Sequence, residues 1–441
     1  MVERLSGTDL AELALDVGPQ PRVVGAVVEL APPRVTAEQV RALLADRVSG
    51  SRVLGRRAVR VPRGCGRPVW APAVPDLDAH VRAASCDDGD RALLALAARA
   101  MIARLPRGRP LWRLVVADRP SGSTALIWVS HHAVADGPTT LHAVLEALGA
   151  DEPAPVRAAR WPVERGELAR DARASRVRAV RRWRVGLGML REAERDLRGA
   201  SGPHAPATSF NRPSGPGMRF VVARAPLAEV RSGAAACGAT VNDAVLCAVG
   251  RALGEELERR DEPRVDLVAT VAATFRARHG AARPRNEVGG LLVPVPTDVR
   301  VHASSRLRAI ADETRRRKEL ASPATPVVMA PVLRALATVG LVRRFFARQT
   351  MVNVAVTRLP GPGAVPPLCG REVRAIVPLS PIVGNVPVTA VALSTGDDLV
   401  VSLCVGDVLW PSSDALAAAV QDELATIGAL AGNRRGSTLV G

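Results

Sequence analysis

The 441-residue sequence predicts an α+β protein built from two lobes, each a two-layer sandwich of helices on a sheet. A chain of this length, with 47% hydrophobic residues, is larger than a single compact core usually supports. Two separate hydrophobic cores are therefore expected. Both halves show a similar order of β-branched runs and helically spaced runs. A Gly-, Pro- and Ser-rich stretch, "GASGPHAPATSFNRPSGPG", separates them. We therefore expect an N-terminal lobe at residues 1–198, a linker at 199–217 and a C-terminal lobe at 218–441.

The N-terminal half contains a regular succession of predicted elements. Its predicted strands are residues 22–30, 111–118 and a strand that starts at 124 and ends in a loop. Its predicted helices are 36–44, where Thr36 acts as a cap, 90–106, and 138–148, which starts with proline as helices often do.

The C-terminal half repeats this order. Strands are predicted at 218–227, 265–275 and 289–298, with further strands within 352–403. Helices are predicted at 227–238 and 240–260, with two more within 306–348 and a last one at 412–431.

The net charge of +17 comes almost entirely from arginine, since Lys318 is the only lysine. Most of the excess lies at residues 157–198, without the interleaved aromatic residues of a nucleic-acid platform, so no nucleic-acid partner is expected. Trp183, Leu187 and Leu190 recur there at partly helical spacing, which predicts a basic amphipathic helix that touches an anionic membrane or lipid droplet. The alternative is a solvated linker whose arginines pair with neighbouring acids.

Two further features bound the location of the protein. No apolar run approaches the ~20 residues of a membrane span, and residues 1–20 are too acidic for a signal peptide. The sequence therefore predicts a cytoplasmic protein, free or peripheral on the inner membrane surface. Six cysteines without a CxxC pair indicate neither a zinc site nor a disulfide framework.

The segment His131-His132-Ala133-Val134-Ala135-Asp136-Gly137 has the form HHxxxDG and is the most specific motif in the chain. A histidine can take a proton from a hydroxyl, amine or thiol at neutral pH and so activate a nucleophile. Side chains alternate along a strand, so only one of two adjacent histidines can face a cleft. Asp136 is expected to hold the loop and Gly137 to allow an unusual backbone conformation and a close approach.

The same motif has two other interpretations. A metal site would need further ligands, and no other histidine or cysteine lies nearby at ligand spacing. A buried, hydrogen-bonded loop is the remaining structural alternative. The sequence has no GxSxG elbow and no recognisable cysteine nucleophile, so direct transfer in a ternary complex is expected without an acyl-enzyme.

Several segments together resemble one family. They are "LSGTDLAELAL" with "VVGAVVEL", "PDLDAHVR", "RPLWRLVVAD" before the HHxxxDG strand, "TVNDAVLCAVGRAL", "VAATFRAR", "NEVGGLLVPVPTD" and "LPGPGAVPPLCGREVRAIVPLSPIVG". In their sequences and in their order along the chain, these segments are similar to those of the bacterial wax ester synthase/diacylglycerol acyltransferase family. That family belongs to the superfamily of chloramphenicol acetyltransferase and the condensation domains of peptide synthetases.

The resemblance implies two chloramphenicol-acetyltransferase-like lobes with an active-site tunnel between them. It implies that His132 is the general base and that His131 and Asp136 hold its geometry. Asn242 and Asp243 would lie near the channel in the second lobe, and Arg276 would pair with Asp136. Acyl-CoA would be a co-substrate, with no permanently bound cofactor, and a diacylglycerol or a fatty alcohol would supply the hydroxyl.

One departure leaves the substrate open. Where the family commonly has Asn-Val before Pro-Gly-Pro, this chain has Arg358-Leu359, which puts the packing around the acceptor in doubt. Three alternatives follow: a specialised alcohol or amine acceptor of secondary metabolism, a condensation-type enzyme that takes its acyl group from a carrier protein, and a non-catalytic binder of lipids or polyanions.

Overall fold

The computed structural model describes residues 2–48, 51, 53–134, 136–149, 161–181, 205–274, 288–320, 335–336, 339–410 and 413–437. Within these ranges the chain forms two main sheets, and each has its own hydrophobic core. The predicted α+β class with two lobes is therefore confirmed.

Thirteen strands are described. The first sheet has the order β11-β1-β6-β5-β4, the second has the order β7-β13-β12-β10-β8-β9, and β2 with β3 forms a separate hairpin. Their bounds are β1 Val23–Leu30, β2 Arg56–Val59, β3 Val69–Pro72, β4 Val81–Ser85, β5 Trp112–Asp118, β6 Thr124–His131, β7 Met218–Pro226, β8 Leu267–Thr274, β9 Val288–Val295, β10 Val354–Pro360, β11 Val373–Leu379, β12 Val388–Thr395 and β13 Asp398–Gly406.

The helices cover these sheets and connect their strands. In the described ranges they are α1 Gly7–Leu15, α2 Ala37–Val48, α3 Leu77–His80, α4 Asp90–Ile102, α5 Gly137–Leu148, α6 Arg165–Arg181, α7 Leu227–Ala236, α8 Val241–Arg259, α9 Ala303–Leu320, α10 Val342–Ala347 and α11 Asp414–Ser437. No single described helix is long and apolar enough to cross a membrane, although the bent pair α7 and α8 passes that test when taken together.

The strand that leads to the HHxxxDG motif lies in the middle of the first lobe. Every residue of β6 is buried, and the strand pairs antiparallel with β1 on one side and β5 on the other. Trp128 on β6 stacks on Trp112 of β5, with ring centroids 4.8 Å apart, and the Trp112 indole N–H donates to the Leu54 carbonyl oxygen at 2.9 Å. A strand buried on both faces between two partners is a rigid base for the motif at its end.

One strand connects the two lobes. β11 belongs by position to the C-terminal half, yet it pairs antiparallel with β1 and forms the edge of the first sheet, with Val377 opposite Val27. Met218 and Phe220 of β7, in the second sheet, also contribute to the first core. The domain limits drawn from the sequence stay a prediction, and residues 373–379 are the part of the second range that completes the first sheet.

Most predicted elements are confirmed with small shifts at their ends. The helix predicted at 90–106 ends at Ile102, and the two helices expected within 306–348 are α9 and α10. Helices α1 and α3, the β2–β3 hairpin and strand β4 were not predicted. Helix α1 has a local start signal, because Ser6 and Asp9 form a capping box in which each side chain accepts the other's backbone N–H.

Candidate active site

The HHxxxDG segment turns sharply where β6 ends. The Val134 N–H donates to the His131 carbonyl oxygen at 2.9 Å, and the His132 N–H donates to the Arg22 carbonyl oxygen at 2.9 Å, just before β1 begins. From the β2–β3 hairpin, the Arg56 guanidinium donates to the Val134 carbonyl oxygen at 2.8 Å. Hydrogen bonds therefore connect the turn to the residue before β1 and to the β2–β3 hairpin.

The two histidines of the motif have different surroundings. His131 is the last strand residue and its side chain is 3% exposed, whereas His132 begins the turn and is half-buried. The Ala133 N–H donates to Nδ1 of His131 at 3.0 Å, so the proton of the neutral ring lies on Nε2, 3.6 Å from Asp16. His131 is thus enclosed by protein groups, while His132 is the more accessible ring.

Asp16 follows helix α1 and is the polar partner of His131. Burial alone would raise the pKa of its carboxyl, but the nearby His131 ring, the hydrogen bond from the Arg22 N–H and the charge of Arg104 lower the pKa to about 2. Arg104 donates to Oδ1 at 2.8 Å. The carboxylate therefore stays ionised beside the His131 ring at neutral pH.

Asp136 caps the helix that follows the motif. It is buried, and its Oδ1 accepts the Thr139 N–H at 2.9 Å while its carbonyl oxygen accepts the Thr140 N–H, also at 2.9 Å. Pro138 occupies the first turn of α5, where it loses no hydrogen bond. The expected role in loop geometry therefore has a specific physical form, a helix N-cap.

Gly137 lies where the second lobe meets this helix. A Cβ atom on Gly137 would lie 3.4 Å from both δ-methyl carbons of Leu359 on β10, and the backbone of Gly137 is helical. The residue therefore supplies a close approach, and the expected unusual backbone conformation is not observed. Leu359 belongs to the Arg358-Leu359 departure, so that departure lies against the motif.

The second-lobe candidates are placed at the start of α8. Asp243 is buried, and its carboxylate accepts hydrogen bonds from the Thr240 N–H at 2.8 Å, the Thr240 hydroxyl at 2.7 Å and the Thr314 hydroxyl at 2.8 Å. Those bonds cap α8 and join it to α9. Asn242 lies half-buried in the first turn of the same helix. Arg276 lies outside the described residues.

Two residues near the histidines were missed by sequence reasoning. Glu12 of α1 receives two hydrogen bonds from the Arg22 guanidinium, at 2.9 and 3.1 Å. Burial acts to raise the pKa of Glu12, but the charges of Arg22 and His132 and the Arg22 hydrogen bond lower it below its ordinary value. Glu12 and Asp16 are four residues apart, a spacing that places both carboxylates on one face of a helical turn.

One cavity among the described residues lies away from the motif. Its volume is 580 Å³ and its lining includes Arg34, Cys86, Arg99 and Arg119, close to the end of β6 opposite His131. Its position separates it from the HHxxxDG turn. No group of three or more histidine, cysteine, aspartate or glutamate residues that could hold a metal ion occurs in the described ranges.

The sequence matches known families across both lobes. Residues 5–245 match the wax ester synthase/diacylglycerol acyltransferase catalytic domain, and residues 285–428 match the C-terminal domain of the same proteins. A Mycobacterium tuberculosis protein named as a probable diacylglycerol O-acyltransferase, tgs1, is 27% identical over 434 residues, which cover 93% of this chain and 92% of the relative. A second protein from that organism with the same type of name, tgs2, is 30% identical over 323 residues, covering 68% and 70% of the two chains.

Solved structures show the same fold. The wax ester synthase/diacylglycerol acyltransferase of Marinobacter aquaeolei VT8 is similar with a TM-score of 0.67 and 22% identity, covering 97% of this chain and all of that one. The first condensation domain of the calcium-dependent antibiotic synthetase gives a TM-score of 0.65 at 16% identity, covering 98% and 97%.

The fold and the matched domains define an acyltransferase with two chloramphenicol-acetyltransferase-like lobes. The chain belongs to the wax ester synthase/diacylglycerol acyltransferase family, which transfers acyl groups to hydroxyl acceptors. The match to a catalytic domain argues against the alternative of a non-catalytic lipid or polyanion binder.

Proposed function

We propose that this enzyme transfers a fatty acyl group from acyl-CoA to the hydroxyl of a diacylglycerol or a fatty alcohol, with His132 as the general base in a tunnel between the lobes. The observation that carries this proposal is the position of His132. Its ring is half-buried at the end of a rigid strand, next to the place where Gly137 and Leu359 bring the lobes into contact. Membership of the family supports the donor and the acceptor class.

The proposed reaction needs one proton acceptor and no acyl-enzyme. His132 removes the proton of the acceptor hydroxyl as the oxygen attacks the thioester carbonyl carbon. The tetrahedral intermediate then collapses, the carbon–sulfur bond breaks, and the imidazolium returns its proton to the leaving thiolate. Direct transfer of this kind requires both substrates to be bound together.

Removal of the His132 ring tests this role. His132→Ala should lower kcat at least about a hundredfold with unchanged folding, because a positioned general base typically contributes that much or more. His142→Ala is the matched control, since His142 is an exposed histidine on the neighbouring helix α5. Turnover of His132→Ala within a few-fold of the wild-type value would show that His132 is not the base.

The donor and acceptor can be identified in the same assay. We propose long-chain acyl-CoA as the donor, and the alternative is an acyl group on a carrier protein, as the similarity to condensation domains suggests. Purified enzyme is offered acyl-CoA or acylated carrier protein together with pooled alcohols, diacylglycerols and amines, and products are identified by mass spectrometry. Activity that appears only with the carrier protein, or only with an amine, would favour the condensation-type alternative.

We also propose that helix α6 contacts anionic lipid. Leu168 and Ala172 of this helix are buried, and Leu168 packs on Cys65 and Val69 of the hairpin segment, so its apolar face is already used inside the protein. Five arginines of α6 are exposed and have no carboxylate partner among the described residues: Arg165, Arg170, Arg173, Arg176 and Arg178. Each such charge near an anionic membrane contributes about 1 kcal/mol. The contact is therefore electrostatic along the described part of the basic segment, and Trp183, Leu187 and Leu190 lie outside the described residues.

Vesicle co-sedimentation tests this contact. Binding should rise with the fraction of anionic lipid and fall at high salt. It should also weaken when Arg170, Arg173, Arg176 and Arg178 are changed together to glutamine. Glutamine at four other exposed arginines, Arg82, Arg343, Arg344 and Arg374, is the charge-matched control. Equal binding by the two quadruple variants would place the contact elsewhere.

A further inference from the structure

A half-buried ion pair is connected to the proposed base through a backbone hydrogen bond. Glu12 and Arg22 approach to 2.8 Å, and both side chains are 17% exposed. The carbonyl oxygen of the same Arg22 accepts the His132 N–H at 2.9 Å. The pair therefore fixes Arg22, to which the His132 backbone is hydrogen-bonded, and it does so from helix α1.

The pair also places a negative charge within electrostatic reach of the His132 ring. The charge of His132 is one of the influences that keep the Glu12 carboxyl ionised, second among the charges after Arg22. This interaction is mutual, because a carboxylate that is favoured by an imidazolium favours that imidazolium equally. During acyl transfer the imidazolium exists only after the base has taken the proton, so the interaction is strongest when it assists the reaction.

We propose that Glu12 and Arg22 are positioning residues of the reaction: Glu12 stabilises the imidazolium that forms on His132, and Arg22 orients the Glu12 carboxylate through two hydrogen bonds. This inference rests on the proposed role of His132 as the base. It differs from the role of Asp136, whose described hydrogen bonds cap helix α5.

Other charged groups around the base have identifiable tasks. Asp16 of α1 faces His131, and Arg104 of the segment after α4 faces Asp16. Asp136 occupies the start of α5. Among these groups, Glu12 and Arg22 are the ones whose ion pair is directly joined to the His132 backbone.

The pH dependence of kcat/KM separates this role from a purely structural one. Glu12→Gln keeps the shape of the side chain and removes its charge. It should lower the plateau of kcat/KM about tenfold and move the acid limb of the profile to lower pH, because the imidazolium loses a stabilising charge. A role confined to packing would lower the amount of folded enzyme and leave the acid limb in place.

A charge swap gives the second test. Glu12→Arg with Arg22→Glu rebuilds the ion pair in the opposite orientation, so it should melt at a higher temperature than Glu12→Arg alone. The proposal requires the acid limb of the swapped enzyme to remain displaced to lower pH, since a cation now faces His132. Recovery of both the melting temperature and the wild-type profile would overturn it.

The first lobe provides a matched control. Glu29 and Arg119 form an ion pair of similar burial, 18% and 9% exposed, at the far end of the same strand β1. Glu29→Gln should lower the melting temperature without moving the pH profile. A profile for Glu12→Gln that coincides with the wild-type one, in an enzyme that His132→Ala inactivates, would refute this inference alone. Full activity of His132→Ala would instead refute the proposed function.

Discussion

The His131 ring and the Asp16 carboxylate form a buried contact, with Nε2 lying 3.6 Å from Oδ2, between the end of β6 and the residue that follows α1. The hydrogen bond from the Ala133 N–H to Nδ1 fixes the opposite side of the ring. Because the contact joins two elements of the first lobe, it should contribute to stability and not directly to the chemical step.

We predict that Asp16→Asn lowers the free energy of unfolding at pH 7 by roughly 2 kcal/mol, since the carboxyl pKa is lowered from 3.8 to about 2 in the folded protein. A carboxyl whose pKa is lowered in the folded state stabilises the protein at every pH above its unfolded-state pKa. That stabilisation is lost as the pH falls through the folded-state pKa. The difference between wild type and variant should therefore shrink between about pH 4 and pH 2. Urea unfolding across this range measures it, and a constant difference would contradict the assignment.

His131→Ala removes the other member of this contact. It should lower the melting temperature noticeably, because the buried Asp16 carboxylate and the Ala133 N–H lose a partner. Combining it with Asp16→Asn should cost less than the sum of the two single effects. Additive losses in the double variant would show that the two side chains do not act together.

Asp136 should tolerate asparagine better than alanine. Asparagine is an equally good N-cap, so Asp136→Asn should reduce activity without abolishing it, while Asp136→Ala removes the oxygen that accepts the Thr139 N–H. The alanine variant should lose about 1 kcal/mol of stability and more activity than the asparagine variant. Thermal melts and turnover of the wild type and the two variants check this prediction. Equal stability and equal turnover in all three proteins would show that Asp136 has no such role.

The contact between Gly137 and Leu359 should couple the two lobes. Gly137→Val adds two methyl groups to a space where a Cβ alone already lies 3.4 Å from both Leu359 methyl carbons. We predict a loss of turnover of about tenfold or more, partly restored when Leu359→Ala makes room. Leu359→Val in the same background is the control with a smaller change in volume. No rescue by the alanine would mean that the valine disturbs α5 itself.

A buried carboxylate should dominate the stability of the second lobe. Glu423 of α11 accepts hydrogen bonds from Arg306 of α9 at 2.5 Å and from Arg251 of α8 at 3.0 Å. Glu423→Gln leaves buried guanidinium charge uncompensated, and removing one partner of such a pair costs about 3–5 kcal/mol. Asp312→Asn, which breaks the exposed pair with Arg315, should change stability by less than about 1 kcal/mol. Urea unfolding of both variants gives the comparison.

The thiol of Cys247 lies in the same buried cluster as Glu423. Burial, and then the charge of Glu423, raise the pKa of Cys247 to about 12. Cys247 should therefore resist alkylation in the native enzyme at pH 8, whereas Cys237, which is only half-buried, should react first. Mass spectrometry after iodoacetamide treatment checks this order, and early modification of Cys247 would contradict the buried cluster.

Local sequence patterns were sufficient to predict most helices and strands and to identify the HHxxxDG motif. The β-branched runs at β1 and β6 and the Pro138 helix start depend on neighbouring residues alone, so they could be predicted. The proximity of Glu12 to His132 depends on how α1 folds back against the end of β6, and no local pattern records such a contact. Asp243 forms a capping box with Thr240 at the start of α8, a local role that the spacing of the two residues could have indicated.

Because β11 is an edge strand of the first sheet, that sheet can be completed only after residues 373–379 have been synthesised. When the ribosome has released β1 and β6, the free edge of β1 has no partner, because residues 373–379 are still to be made. An unpaired edge beside a strand as apolar as β6 is a hazard for association between nascent chains. The first lobe therefore becomes a finished sheet only near the end of translation. A fragment that stops before residue 373 is expected to aggregate, and a synthetic peptide of residues 371–381 should improve its solubility by supplying the missing strand.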